Sequence, residues 1–382
     1  MKPHRPLSPA LAVSSSRMGD LVCATVVINA LRDLLLQESR HSPARDDSGR
    51  SGDSRERGAS NESGVSQEDG AFVEEPVLDV LVEPRNAALL RGEPGIRPVS
   101  LSEAAARRYR TIVDLTSSST SRRWIGELRG GIRIGSAASR SQALYRRLYY
   151  HHVLPKRLHG HIVKDFYAYL RHFGVPGEPL PALARGSDPK TKAVLEALRG
   201  GGTTSRRPLV GIHVGAGRPK RVLPEKLIVE LADQLARRDI ALLLIGEEPE
   251  RVGRLQDLLG GRAAHHPFTL EQLKTALGAL DVYVGVDSGP LHLACALGVP
   301  AVGLYGPALS ERSAPLTPAF TAVEIDVECR PCLQSQPCDF AQRCFAEIPV
   351  ERLVDAVLAH VPETALPARA PESDQNHVCR RR

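Results

Sequence analysis

Residues 283–307, YVGVDSGPLHLACALGVPAVGLYGP, decide how this chain is read. The run 282–286 is short and valine-rich, as a buried strand is, and it ends on Asp287. Ser288-Gly289-Pro290 then turns into LHLACALG, a helix. Pro290 suits the first helical position, because its fixed φ fits and the N–H it lacks would find no partner there. Gly289 carries no Cβ, so a ligand can approach the backbone closely. Gly298 and Pro300 stop the helix, and AVGLYG reads as the next buried strand. The stretch is a β-α-β unit with an open helix start.

Free N–H groups and the positive end of the helix dipole make such a start a natural phosphate site, worth roughly 0.3–2 kcal/mol from the dipole alone. Spacing alone fits equally well an ordinary crossover in which Asp287 and Ser288 cap the helix and His292 is a satisfied side chain.

The chain has 382 residues, beyond the roughly 250–300 at which single cores stop growing, so two domains are expected. Hydrophobic residues at 42% and charged ones at 25% suit globular α/β domains. No apolar run approaches the roughly 18–20 residues that cross a bilayer, and MKPHRPLSPALAVSSS lacks the apolar core of a signal peptide, so a cytoplasmic protein is expected. The net charge of +6 and the isoelectric point near 9.0 favour an anionic partner: nucleic acid, a membrane surface or a phosphorylated substrate.

Working outward, residues 11–13 begin a strand, and SSSRMGD leads into LVCATVVINALRDLLL, apolar at helical spacing. Asp20 stands at that helix start, where a plain cap would also stand. From 37 to 75 the composition turns to Ser, Gly, Arg, Asp and Glu, and a disordered insertion is expected. TIVDLTSSS places Asp114 and a run of hydroxyls at the end of another strand. Between Arg107 and Arg157 cations crowd together, Arg122 and Arg123 among them, with Trp124, Tyr145, Tyr149 and Tyr150 interleaved. A solvated helix face and an anion-binding surface both fit this pattern. No recognisable nucleic-acid motif accompanies it, so no nucleic-acid partner is expected.

LVGIHVGAG, from Leu209, is a buried strand ending in a Gly-rich turn, and PKRVLPEKLIVELADQLARR reads as an amphipathic helix after it. The full dinucleotide fingerprint G-x-G-x-x-G is absent there and after the first strand, against a nicotinamide oxidoreductase. Lys220 reads either as a solvated lysine or as a phosphate ligand. Glu248 follows the strand IALLLIG, where it could accept from sugar hydroxyls or cap a helix. Cys329, Cys332, Cys338 and Cys344 lie close together in sequence; reduced thiols or a structural Zn or Fe site both fit. Residues 362–382 read as a disordered tail.

D-S-G-P-L-H, Asp287 to His292, resembles the D-x-G-x-x-H signature of glycosyltransferase family 9, the ADP-heptose:lipopolysaccharide heptosyltransferases, and ALGVPAVGLYGP continues the likeness. The resemblance implies a GT-B fold: two Rossmann-like α/β domains facing across a cleft, here 1–190 on the acceptor side and 205–361 binding the nucleotide sugar. It implies that Asp287, Ser288, Gly289 and His292 line the donor site with Lys220 and Glu248. Asp20, in the Gly19-Asp20 pair, would be the general base, and Arg122 and Arg123 would meet an anionic glycolipid acceptor at the inner-membrane surface. The implied reaction moves heptose from ADP-heptose with inversion, and no cofactor is required for catalysis. Two departures stand out: Thr25-Val26-Val27 where relatives carry Thr-Pro, and Leu223-Pro224 where they carry Trp-Pro. Another nucleotide sugar, a protein acceptor or a non-catalytic nucleotide-binding module remain the alternative readings.

Overall fold

The computed structural model describes residues 7–41, 78–156, 160–200, 206–332 and 338–362. Two six-stranded sheets form, and every strand pair in them is parallel. The first comprises β1 (Ala10–Ser14), β2 (Leu78–Val82), β3 (Ile96–Val99), β4 (Thr111–Asp114), β5 (Ile132–Ala137) and β6 (His152–Pro155), in the order β3-β2-β1-β4-β5-β6. The second comprises β7 (Leu209–His213), β8 (Ala241–Ile245), β9 (Ala264–His265), β10 (Val282–Val286), β11 (Ala301–Leu304) and β12 (Phe320–Val323), in the order β12-β11-β10-β7-β8-β9.

Each sheet winds outward in both directions from its middle. The strand order therefore reverses between β1 and β4 and between β7 and β10, the positions where doubly wound sheets open a crevice at the carboxyl ends of their strands. β7, β8 and β10 are buried at every residue, as strands covered by helices on both faces must be. Val210, Ile212, Leu242, Leu244, Val284 and Val302 face helical residues such as Leu231, Leu255 and Leu353 in one core. No helix among the described residues is long and apolar enough to cross a membrane.

The chain divides into two compact units. Of the described residues, one gathers 7–15, 27–41, 78–84 and 90–155 around the first sheet; the other gathers 16–26, 85–89, 156, 160–200, 206–332 and 338–362 around the second. The second unit also takes in residues 160–190, read from the sequence as part of the first domain, and the first turns of the helix Met18–His41. That helix runs on through residues 37–41, where the sequence suggested the insertion had begun; residues 42–77 lie outside the described residues, as does the tail beyond 362. After β7 the expected continuous helix is divided. Pro219–Arg221 is a single 3-10 turn, and the helix proper is Glu225–Ala236, because Pro224 holds its predecessor away from helical geometry and itself stands at the cap.

Candidate active site

The helix Gly289–Ala296 follows β10 directly, with Pro290 in its first turn. Ser288 precedes it in an extended conformation, and its side chain makes no capping hydrogen bond, so the amides of the first turn remain available. Against this start lies the first turn of Met18–His41. A Cβ on Gly19 would stand 3.3 Å from the His292 ring and 3.4 Å from the Gly289 Cα, and one on Gly289 would stand 3.0 Å from Met18 Sδ. Glycine at both places is what lets the two helix starts meet.

Around this contact opens a cavity of about 720 Å³. Its walls combine Asp20, Asp287, Ser288, Gly289 and His292 with Arg17, Arg218, Arg221 and Arg312. All belong to the second unit. Four guanidinium groups stand there against the carboxylates of Asp20, Glu247, Glu248 and Asp287; an arginine is always charged and its fork matches phosphate oxygens, so the cavity has the chemistry to hold an anion.

Asp287 is held by two partners. Arg221 donates to its backbone carbonyl at 2.7 Å and pairs with Oδ2 at 2.8 Å, while His292 Nε2 stands 3.5 Å from Oδ1. Burial alone would raise the Asp287 pKa, but the His292 contact, the Arg221 charge and the Ser313 side chain outweigh it and hold the carboxyl below its ordinary value. His292 behaves in the complementary way. Burial disfavours its charge, yet Cys23, whose Sγ lies 4.0 Å from Nδ1, and Asp287 raise its pKa to about 10. At neutral pH the imidazolium is therefore a buried cation beside the open helix start.

Asp20 differs from Asp287. Burial raises its pKa above the ordinary value, and Asp287 adds to that, while Lys156, His292 and Arg17 pull it back. Desolvation makes this carboxylate a stronger base than one in water, while the cations around it favour its ionised form.

The Gly-rich turn after β7 adds a residue that the sequence reading passed over. His213, the last residue of β7, is buried against Tyr283 with ring centroids 6.3 Å apart, and burial lowers its pKa to about 4. It lines the cavity as a neutral imidazole, and its Nδ1 makes no hydrogen bond among the described residues. The signal for it was a histidine ending an apolar strand immediately before a glycine turn. Arg251 braces the same turn, donating to the carbonyls of Val214 at 2.9 Å and Leu223 at 2.6 Å.

Of the residues named from the sequence, Asp20, Asp287, Ser288, Gly289, His292 and Glu248 line the cavity. Glu248 does so as an exposed residue at the start of the helix Pro249–Leu259, which its side chain does not cap. Lys220 is not among the lining residues. Its Nζ lies 3.9 Å from Cys332 Sγ, and the adjacent Arg221 takes the cavity position. Arg122 and Arg123 sit on the helix Ser119–Glu127 of the first unit, with Arg122 donating to the Ser117 carbonyl and Arg123 exposed.

The metal site, one of the two readings of the cysteines, is not assembled among the described residues. Among the described residues no three thiol, imidazole or carboxylate groups are placed to hold an ion. Cys344 turns into the core beside Phe345 on the helix Arg343–Ala346, whereas Cys329, Cys332 and Cys338 are half-buried outside it. Burial first, and then the charges of those three neighbours, push the Cys344 thiol up to about 11.

A doubly wound sheet with an arginine-ringed cavity at its reversal point and a desolvated aspartate beside an open helix start defines an enzyme class that handles phosphorylated, nucleotide-like substrates. The sequence pattern of glycosyltransferase family 9 (heptosyltransferase) matches residues 102–340, and the chain belongs to that family; it is a glycosyltransferase. Lipopolysaccharide heptosyltransferase 1 of Pseudomonas aeruginosa is 30% identical over 129 residues, 32% of this chain and 36% of that protein. The matched segment thus spans about a third of the curated relative. Among solved structures, a family 9 glycosyltransferase from Veillonella parvula superposes with a TM-score of 0.68 at 15% identity, covering 92% of this chain and 96% of that one. E. coli ADP-heptose lipopolysaccharide heptosyltransferase II gives 0.62 at 18% identity, covering 92% and 98%. At such identities the likeness is one of fold, and the fold is the GT-B one.

Proposed function

We propose that this enzyme transfers heptose from ADP-heptose to an inner-core acceptor of lipopolysaccharide, inverting the anomeric carbon. The observation that carries the reading is the pairing, in one cavity, of a desolvated Asp20 with the open start of the helix Gly289–Ala296 and its cations. The names of the relatives supply the sugar and the acceptor.

In the proposed reaction the acceptor hydroxyl oxygen attacks the anomeric carbon and gives its proton to the Asp20 carboxylate. The bond from that carbon to the distal phosphate oxygen breaks, and its electron pair leaves on the nucleotide diphosphate. Arg221, His292 and the amides of the helix start neutralise the developing charge, the role in which preorganised donors contribute most. Glu248 is assigned to the nucleotide ribose, and Arg122 and Arg123 to the anionic groups of the acceptor. Lys220 acts behind Arg221, as part of the same cationic segment. The unit built on the second sheet is the donor side, and the acceptor lies at the cytoplasmic face of a membrane.

General-base catalysis is typically worth about 10²–10⁴-fold. Asp20→Asn is therefore expected to lower kcat by that range in a transfer assay with ADP-heptose while leaving ADP affinity within about threefold. Retention of wild-type turnover would end the assignment. With arginines and an imidazolium assigned to the leaving group, full turnover in EDTA is also expected.

A further inference from the structure

The first unit carries a surface to which the proposed transfer reaction assigns no role. The helix Arg140–Arg146 buries none of its residues, yet it displays large apolar side chains. Leu144 is 71% exposed, Tyr145 53% and Leu148 78%. Helical hydrogen bonding continues past the helix end, from Arg147 N to Ala143 O and from Tyr150 N to Arg146 O. Arg140, Leu144 and Leu148 consequently fall a turn apart along one stripe, with Arg147 and Tyr145 beside it. Exposed leucines on a helix that adds nothing to the core have no folding role, and clustered apolar exposure of this kind marks an interaction surface.

The charge around the stripe identifies what it meets. Between Glu127 and Asp165 the sequence holds no carboxylate, while it holds eight lysines and arginines. Among the described residues neither Arg140 nor Arg147 has a carboxylate partner, and both are exposed, as are Arg123 and Arg129. A second copy of the chain docking through the same patch would bring arginines against arginines, since a two-fold interface pairs a surface with itself. An anionic phospholipid bilayer meets both requirements: its headgroups attract the arginines and its interface accepts leucine and tyrosine side chains.

We propose that the stripe Arg140, Leu144, Arg147 and Leu148, with Tyr145, docks this enzyme onto an anionic phospholipid bilayer. Leucines enter the headgroup–acyl boundary and arginines pair with lipid phosphates. The surface deepens the reading of a membrane-borne acceptor, but it binds plain phospholipid and needs neither donor nor acceptor.

The test is co-sedimentation of the full-length protein with vesicles of phosphatidylcholine alone and of phosphatidylcholine with phosphatidylglycerol, both free of glycolipid. Binding is expected about tenfold or more tighter to the anionic vesicles, falling as salt is raised. The double variant Leu144→Ser/Leu148→Ser is expected to lose that binding about tenfold at unchanged Tm, and Arg140→Gln/Arg147→Gln to weaken it most at low salt. Wild-type protein that ignores anionic vesicles, or a leucine double variant that binds them as wild type does, overturns the proposal. So does light scattering showing a wild-type dimer that the leucine variant dissolves, which would assign the stripe to a second copy. Failure of heptose transfer would leave all these outcomes unchanged, so the two readings fail separately.

Discussion

His213 and Arg221 carry sharp expectations for single side chains. The His213 pKa of about 4 lies below the ordinary 6.5, because the folded protein buries the ring and refuses a proton that the unfolded chain accepts. Its contribution to stability is complete above pH 6.5 and is lost as pH falls toward 4, by about 3 kcal/mol. Denaturant melts of wild type and His213→Gln across that interval should show the acid-driven loss shrinking in the variant; parallel curves would remove His213 as its source. Arg221 bonds Asp287 and lines the cavity, whereas Lys220 points to Cys332. Arg221→Ala should weaken ADP-sugar binding about tenfold or more and Lys220→Ala no more than about threefold, by the usual cost of a charge-assisted contact. Equal losses would return Lys220 to the site.

At the scale of elements, local chemistry made much of the second sheet legible. The Asp287-to-Pro307 stretch contains its own strand end, helix start and stop, and the structure places them where those residues put them. Asp20 was legible for the same reason, as the acid of a helix's first turn. What the sequence did not reveal depends on turns and on contacts between distant segments. Lys220 and Arg221 are neighbouring cations in a 3-10 turn, and only the turn's orientation separates them. Cys344 sits near three other cysteines in sequence, but its helix faces the core. The last case has a steric cause that can be tested. A Cβ on Gly306, just past β11, would stand 2.5 Å from the Phe345 ring. Gly306→Ala should therefore push the Arg343–Ala346 helix outward and cost about 1–3 kcal/mol, as overpacking does. Urea unfolding measures this, and an unchanged midpoint would show that the helix yields freely.

For the molecule as a whole, two raised pKa values in the cavity would set the pH range of the proposed reaction. Asp20 must be ionised to accept a proton, and burial raises its pKa, so turnover should fall off on the acid side at a pH above the ordinary aspartate range. His292 must be protonated to meet a diphosphate, and its pKa of about 10 keeps it so through neutrality. Because that value lies above the unfolded 6.5, the His292 contribution to stability is present below 6.5 and disappears as pH rises through about 10, together with its charge. The expected pH–kcat profile is a plateau bounded on the acid side by Asp20 and on the alkaline side near 10 by His292. His292→Gln separates the two limbs: it should lower the plateau and abolish the alkaline fall. By removing a nearby positive charge it should also move the acid limb to higher pH, since His292 is one of the groups that lower the Asp20 pKa. An acid limb that stays in place in His292→Gln would mean that the proton limiting turnover does not reside on Asp20.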